Sequence, residues 1–284
     1  MTFLEQLRLF APGVVVALVV ALLGGLLSVI VVMKRLAFVG QGVSHAAFGG
    51  VGLAAILGFA STTGTDPVVR TAIVAVFSIG AGLAVSHLAR RTQKRTDTAI
   101  GIVMTASMAL GFVLYRLAAN RARTGGAGPL PSIEGVLFGE LLSISSSAAW
   151  TTAGAAALIV ALLFWHRRSI LLWSFDEDAC APAGLNTARI GTVVLVLLAS
   201  SVVLAVQVAG VVLATAILVL PGATALRLTR SLVPAFVSSV VIAVTTVGVG
   251  IALSIELDWP PGATIALTQC VAWLIAALTT GWKR

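Results

Sequence analysis

The chain has 284 residues, of which 59% are hydrophobic and 10% are charged, and its formal net charge is +8. A soluble globular domain needs a polar surface, and so few charged residues cannot cover a chain of this size. The composition therefore excludes a soluble protein, and continuous rather than alternating apolar runs disfavour a β-barrel. We predict an all-α polytopic membrane protein in which residues 1–284 form a single transmembrane domain.

Nine apolar runs are long enough to cross a bilayer, since a membrane-spanning helix needs about 20 residues. One boundary is weak, because only Gln207 interrupts the chain between the sixth run and the seventh. Eight spanning helices with a re-entrant element are therefore an alternative to nine. The runs cover residues 12–33, 36–60, 67–88, 97–117, 148–165, 187–206, 208–226, 232–254 and 262–281.

The basic residues lie in short clusters between these runs, as in loops that set topology, and do not form a patch that would bind nucleic acid. A cytoplasmic Lys34-Arg35 turn puts 13 of the 18 basic residues inside, because only five fall on the outer side. Those five are Arg8, Arg70, Arg116, Arg121 and Arg123. The positive-inside rule then predicts an outer N-terminus and a cytoplasmic C-terminus.

The second run carries a polar pair in the middle of an apolar stretch. His45 is the only titratable side chain between Leu36 and Ala60. It lies about 14 Å from the Leu36 end of a helix, which is near the bilayer midplane. Gln41 is four residues earlier, so both side chains share one helix face.

A polar group at this depth costs free energy and therefore suggests a function. A neutral imidazole binds Zn²⁺, Mn²⁺ or Fe²⁺, and a glutamine carbonyl is a weak oxygen ligand. We take His45 and Gln41 as candidate metal ligands in a transport path. The alternative is a histidine that forms a hydrogen bond between helices for packing alone.

Small residues beside the pair predict how this helix packs. Gly42, Ala46 and Gly50 form a stripe that lets another helix approach closely. The Gly49-Gly50 pair predicts a break or kink just beyond the polar residues. A polar pair beside a close helix contact and a helix break is typical of transport sites in membrane bundles.

Other polar and sulfur-containing residues are weaker candidates. His87 and His166 lie at predicted cytoplasmic ends and are expected to be solvated. Met104 and Met108 favour core packing over thioether ligation. Thr268 and Gln269, in the last run, either line a path or bond to a neighbouring helix.

Several classes of protein are disfavoured by what the sequence lacks. No Asp or Glu lies in the middle of a run, which disfavours a carrier driven by protons or Na⁺. There is no H-E-x-x-H metalloprotease motif and no phosphate-binding G-x-x-x-x-G-K-[ST] motif. If ATP drives transport, the ATPase must be another chain.

The inner connection, residues 166–186, contains a predicted helix start. Ser174 at the N-cap with Glu177 three residues later is a capping box. Asp176 and Asp178 suit the positive end of a helix dipole. We predict a short cytoplasmic helix from Ser174 to about Ala181, ended by residues 182–184. The alternative is an ordinary polar loop.

The outer connection, residues 118–147, carries positive charge on the side where the topology rule does not expect it. Arg121 and Arg123 are either solvated loop residues or a docking patch for an acidic partner surface.

Four stretches, in this order, resemble the permease subunits of zinc, manganese and iron ABC importers, the ABC-3 family. Residues 40–46 are similar to the family's G-D-x-x-[SA]-H-A, and residues 137–142 to its L-F-G-D-L-L. Residues 175–185 are similar to F-D-x-x-x-A-x-x-x-G-L. Residues 208–225 are similar to V-G-x-L-L-(x)n-P-A-A-T-A. The resemblance covers most of the chain, and its specificity comes from the four motifs together.

The resemblance implies a permease without enzymatic activity or a tightly bound cofactor, in the cytoplasmic (inner) membrane of a prokaryote. The transported ion would be Zn, Mn or Fe. The implied partners are a second copy of the chain, with the path between the protomers, two cytoplasmic ATPase subunits and an extracytoplasmic metal-binding protein. Coupling to the ATPase is expected from Ser174, Phe175, Asp176, Glu177, Ala179 and Gly184.

The resemblance also identifies a departure at the candidate path. In the family, an Asp and a His of the second-span motif are associated with metal passage. His45 matches that His, whereas Gln41 stands where the Asp would be, so the anionic ligand is missing. Pro182 departs too and predicts a shorter coupling helix.

Two further functions stay open at this point. A permease for a metal chelate such as a siderophore or haem fits the missing Asp, although the chain is short for that class. A secondary metal-ion carrier is the main competitor from another class, and a polytopic membrane enzyme is a distant third.

Overall fold

The computed structural model describes residues 10–59, 67–91, 96–123, 130, 135, 139, 144 and 146–281. Every regular element in these ranges is helical, which confirms the all-α prediction. In chain order the helices are α1 (Ala11–Met33), α2 (Ala37–Ile56), α3 (Pro67–Arg91), α4 (Thr96–Arg123), α5 (Ser146–Trp165), α6 (Arg167–Phe175), α7 (Thr187–Leu228), α8 (Leu232–Leu257) and α9 (Pro261–Thr279), with a 3-10 helix (Asp178–Cys180) between α6 and α7.

The long helix α7 is interrupted at Gly210, whose φ of 77° and ψ of 171° are not helical. We call its halves α7a (Thr187–Gln207) and α7b (Ala209–Leu228). The interruption falls at the boundary that the sequence marked only weakly. A positive φ with extended ψ is cheap for glycine and costly for other residues, so Gly210 is suited to the break.

Contacts on either side of Gly210 show that the chain reverses direction there. In α7a, Gly191 faces Trp173 of α6, and Gln207 accepts a hydrogen bond from Thr71 near the start of α3. In α7b, Ile217 lies against Gly24 of α1, and Gly222 lies against Ser28, so α7b runs parallel to α1. Because α1 ends beside α6, α7a and α7b are antiparallel.

The number of membrane-crossing helices agrees with the predicted eight to nine. Eight stretches of the described residues are long and apolar enough to cross a membrane, with α7a and α7b counted separately. α2 is outside that set because its glycines and polar pair lower its hydropathy. Its 20 residues nevertheless extend about 30 Å, the thickness of a bilayer core.

Helix α4 is longer than the run that predicted it. The sequence suggested an end near residue 117, whereas the helix continues to Arg123. Tyr115 and Ala118 are buried against Ala54 and Ala55 of α2, which supports these extra turns. Arg121 and Arg123 therefore lie in the last helical turn, not in a loop, where cations favour the negative end of the helix dipole.

The capping box predicted at Ser174 is wrong. Ser174 is buried in the last turn of α6, and its hydroxyl donates to the carbonyl oxygen of Ile170 at 2.7 Å. The cap lies two residues later, where Asp176 Oδ1 accepts from the backbone N–H of Ala179 at 3.1 Å. The predicted short helix therefore exists as α6 followed by the 3-10 helix, and not as one helix from Ser174.

The glycines of α2 confirm the predicted close approach and contradict the predicted break. A Cβ on Gly50 would lie 2.9 Å from Val74 Cα of α3. A Cβ on Gly52 would lie 2.5 Å from the carbonyl oxygen of Gly111 on α4. The helix passes Gly49-Gly50 without interruption and ends at Ile56. These glycines bring α3 and α4 close to α2 and do not bend it.

This packing predicts that Gly52→Ala destabilises the protein. The new methyl group would meet backbone atoms of Gly111, which cannot rotate away, and such overpacking costs about 1–3 kcal/mol. Gly80→Ala on α3 is the matched control, because a Cβ there meets nothing within 4 Å. Thermal unfolding of the purified protein measures both variants. Equal melting temperatures for the two variants would contradict the account.

Candidate metal path

One face of α2 is left open by the protomer and carries the polar side chains of Gln41 and His45. Between Val39 and Gly50 every residue is buried except Gln41, which is exposed, and His45, which is half-buried. Phe38, one turn before Gln41, is 63% exposed and extends the same open face. The two residues singled out by the sequence are thus brought together on an uncovered surface.

A backbone hydrogen bond favours one tautomer of His45. Its Nδ1 lies 2.9 Å from the carbonyl oxygen of Gln41. A carbonyl oxygen only accepts hydrogen bonds, so the tautomer that makes this bond has its proton on Nδ1 and a lone pair on Nε2. This is the usual arrangement of a metal-ligating histidine, in which the second ring nitrogen donates to an oxygen acceptor.

The rest of α2 holds this face in place. The helix packs against α3, α4 and α7, which surround the other side. Gly42 faces Ile100 of α4, and Gly49 faces Phe77 of α3. Ser44 is fully buried and donates its hydroxyl to the Gln41 carbonyl at 2.9 Å. The close packing leaves α2 little freedom to rotate, so Gln41 and His45 stay on the open side.

A single protomer does not complete a metal site in the part of the chain that the structure describes. No group of three or more His, Cys, Asp or Glu residues lies close enough there to hold an ion. One imidazole and one carboxamide are fewer than the four or so ligands that Zn²⁺ takes in proteins. An ion bound at this pair would need further ligands from outside the described part of the protomer, such as water or another protein surface.

Four of the weaker candidates differ in their surroundings. His87 is exposed, and His166 is half-buried with Nδ1 3.1 Å from the carbonyl oxygen of Leu162. Thr268 donates to the carbonyl oxygen of Thr246 on α8, as expected for a bond between helices. Gln269 is 1% exposed, and its carboxamide has no hydrogen-bond partner among the described residues.

The 174–184 segment, which contains the six predicted coupling residues, is partly accessible. Asp176, Glu177 and Gly184 are exposed, and Phe175 exposes 53% of its surface despite being a large apolar residue. Ala179 is half-buried, whereas Ser174 is buried and does not reach the surface. The segment thus presents an exposed phenylalanine beside three carboxylates.

The two residues predicted to dock an acidic partner lie at the end of the bundle opposite to the 174–184 segment. Arg121 and Arg123 are both exposed on the last turn of α4. Most of the L-F-G-E-L-L motif falls outside the described residues. Its Gly139 is described, and a Cβ there would lie 2.6 Å from the Cα of Ala209. Two motifs of the resemblance therefore meet at the reversal in α7.

One contact was missed by the sequence analysis, which counted Lys34 only as a topology-setting charge. Its Nζ lies 3.1 Å from Glu177 Oε2 and 4.2 Å from the ring centroid of Trp173. Residues 34 and 177 are 143 positions apart. No local pattern signals such a contact.

Comparisons with known proteins agree with the motifs. The ABC 3 transport family matches residues 6–280. A probable iron transport system membrane protein from Haemophilus influenzae is 30% identical, with 95% of this chain and 93% of that protein aligned. A manganese transport system membrane protein from Halalkalibacterium halodurans is 28% identical, with 96% and 89% aligned. The structure of PsaBC from Streptococcus pneumoniae in complex with Fab has a TM-score of 0.81 at 26% identity, covering 96% of this chain and 94% of that chain.

The open face of α2 predicts a specific pattern of thiol labelling. Gln41→Cys in intact membranes should react rapidly with a water-soluble methanethiosulfonate, because only a hydrated thiol ionises and attacks. Val76→Cys, on a residue that is 72% exposed along α3, should react slowly since lipid surrounds it. The background carries Cys270→Ser, because Cys270 is exposed while Cys180 is buried. Equal rates at positions 41 and 76 would mean that Gln41 faces lipid.

Proposed function

Because the chain belongs to the ABC 3 transport family, we propose that it is the membrane-spanning permease subunit of an ATP-driven importer of divalent transition metal ions. Manganese and iron are the favoured ions, since relatives are named for their transport, and zinc fits the same ligands. These names favour a bare ion over a chelate and a permease over a secondary carrier. The observation that carries the proposal is the polar face of α2.

A polar face at this depth cannot be left in lipid. An imidazole and a carboxamide in hydrocarbon have no water to bond with, so they must face a cavity or another protein. A second copy of the chain placed against this face would cover it and would supply a second His45 and a second Gln41. We propose that the ion passes between two protomers, along the surface that neither protomer covers alone.

The ligand set explains how such a path could both hold and release an ion. Two imidazole nitrogens and two carboxamide oxygens carry no net charge, so they compensate less of the ion's lost hydration than carboxylates would. A conducting site must bind strongly enough for entry and weakly enough for exit. Gln41 therefore makes this path a weak, neutral site in which His45 Nε2 is the strongest ligand.

The two ends of the bundle suggest how the other subunits attach. We assign the 174–184 segment to the cytoplasmic side, where Phe175 and its neighbouring carboxylates would enter a groove of the ATPase. The exposed pair Arg121 and Arg123 would then face outward and dock an acidic surface of a metal-binding protein. This orientation follows the distribution of lysine and arginine and places the C-terminus in the cytoplasm.

The proposal predicts that His45→Ala reduces metal uptake while leaving assembly with the ATPase intact. Losing the strongest ligand should lower uptake at limiting metal by at least about 10–100-fold, which is the loss that follows when only a residue supporting a metal ligand is removed. His166→Ala is the matched control, because His166 also bonds to a backbone carbonyl four residues earlier. Radioactive Mn²⁺ uptake into proteoliposomes that contain the complex measures both. Unchanged uptake for His45→Ala would exclude the ligand role.

A second prediction concerns the ATPase-facing segment. Ala179→Pro removes the N–H that bonds to Asp176 Oδ1, so the 3-10 helix should open and stimulated ATP hydrolysis should fall together with uptake. Asp178→Cys should cross-link to a cysteine in the ATPase groove, whereas Arg121→Cys should not. Cross-links from position 121 alone would invert the proposed topology.

A further inference from the structure

Lys34, the C-cap of α1, contacts α6 and the 174–184 segment from the turn that leads into α2, the helix that carries the polar face. We propose that Lys34 is a positioning residue that transmits movement of this segment to His45. This inference rests on the proposed function, because it assumes that the segment docks on an ATPase. Nothing in the sequence pattern or the resemblance assigns Lys34 a role beyond topology.

Two attractions hold the Lys34 ammonium in place, one to the 174–184 segment and one to α6. The ion pair with Glu177 is 3.1 Å long, but Glu177 is 57% exposed, so water screens this attraction. The second contact is with the ring of Trp173, 4.2 Å from Nζ. Trp173 is only 8% exposed and Lys34 16%, and such partial desolvation strengthens a cation–π contact.

The two partners of Lys34 lie on either side of the junction between α6 and the 3-10 helix. Trp173 belongs to α6, and Glu177 directly precedes Asp178, where the 3-10 helix starts. A shift of the 174–184 segment must therefore pull on the ammonium or break one of the two contacts. Lys34 responds to the position of the whole junction and not to one side chain.

The turn that follows Lys34 is short and firmly bonded. Arg35 adopts a left-handed φ of 56°, and the N–H of Leu36 bonds to the carbonyl oxygen of Val31 at 2.8 Å. This pattern of bonds closes the end of α1 and starts α2 directly at Ala37. A tight turn with few free dihedral angles moves as a unit with the helix it begins.

The distance from this turn to the polar face is short. His45 is eight residues after Ala37, the first residue of α2, which corresponds to about 12 Å along the helix. α2 is uninterrupted over that stretch, so a displacement of the turn at its start moves Gln41 and His45 as well. Lys34 thus connects the ATPase-facing surface to the metal ligands through one rigid element.

The test uses the whole complex in proteoliposomes, with the ATPase, the binding protein and Mn²⁺, and measures ions transported per ATP hydrolysed. Lys34→Gln should assemble and hydrolyse ATP, but this ratio should fall about 5–30-fold, since one or two weak contacts are lost. Lys34→Arg keeps both contacts and should stay near wild type. Arg230→Ala, on an exposed residue in another turn, is the charge-loss control and should leave the ratio unchanged.

Glu177→Gln tests the same contact from its other partner. Glu177 is exposed, so its substitution will not prevent folding. Glu177→Gln should lower the ratio in the wild-type background. Because Glu177 also faces the ATPase groove, Glu177→Gln keeps part of its effect in Lys34→Gln, but the double variant should lose clearly less than the product of the two single losses, as for two partners in one interaction. Three outcomes would each overturn the inference. They are an unchanged ratio for Lys34→Gln, a double variant whose loss equals the product of the Lys34→Gln and Glu177→Gln losses, and a Lys34→Gln variant that alone fails to assemble. Absence of Mn²⁺, Fe²⁺ and Zn²⁺ uptake by the wild-type complex would instead overturn the proposed function.

Discussion

The structure depends on one constraint, which is that polar side chains inside a membrane must face a partner. Every residue of α2 between Val39 and Gly50 is buried in the protomer except Gln41 and His45. Those two are the polar pair that lipid would tolerate least. The arrangement therefore requires a hydrated cavity or another protein surface on this face, and the second copy of the chain that we propose would bring the same two residues to the same place.

The rest of the bundle keeps that face fixed and open. Gly50 and Gly52 let α3 and α4 approach the back of α2, while the reversal at Gly210 brings α7a against it as well. His45 Nδ1 is engaged by the backbone carbonyl of Gln41, so Nε2 is the ring nitrogen available to a ligand. Close packing on three sides and an imidazole on the fourth fit the path that we propose at a subunit boundary.

Sequence reasoning succeeded where the information is local in the chain and failed where it is not. Hydropathy found the spans, and spacing placed Gln41 and His45 on one face. The capping box failed because the Ser174 hydroxyl bonds back to Ile170 and lengthens α6. The predicted break at Gly49-Gly50 failed because contacts with neighbouring helices, which no single run encodes, hold α2 straight. The Lys34–Glu177 pair, 143 residues apart, has no local signature.

The most direct test of the path is equilibrium binding of Mn²⁺ to the purified complex with Gln41→Asp, compared with Gln41→Asn and wild type. Asparagine and aspartate have the same size, so their difference isolates the charge. The account predicts that Gln41→Asp binds Mn²⁺ at least about ten-fold more tightly, which corresponds to about 1.4 kcal/mol from a restored anionic ligand. Identical affinities for all three would show that position 41 does not face the ion and would contradict the path proposed here.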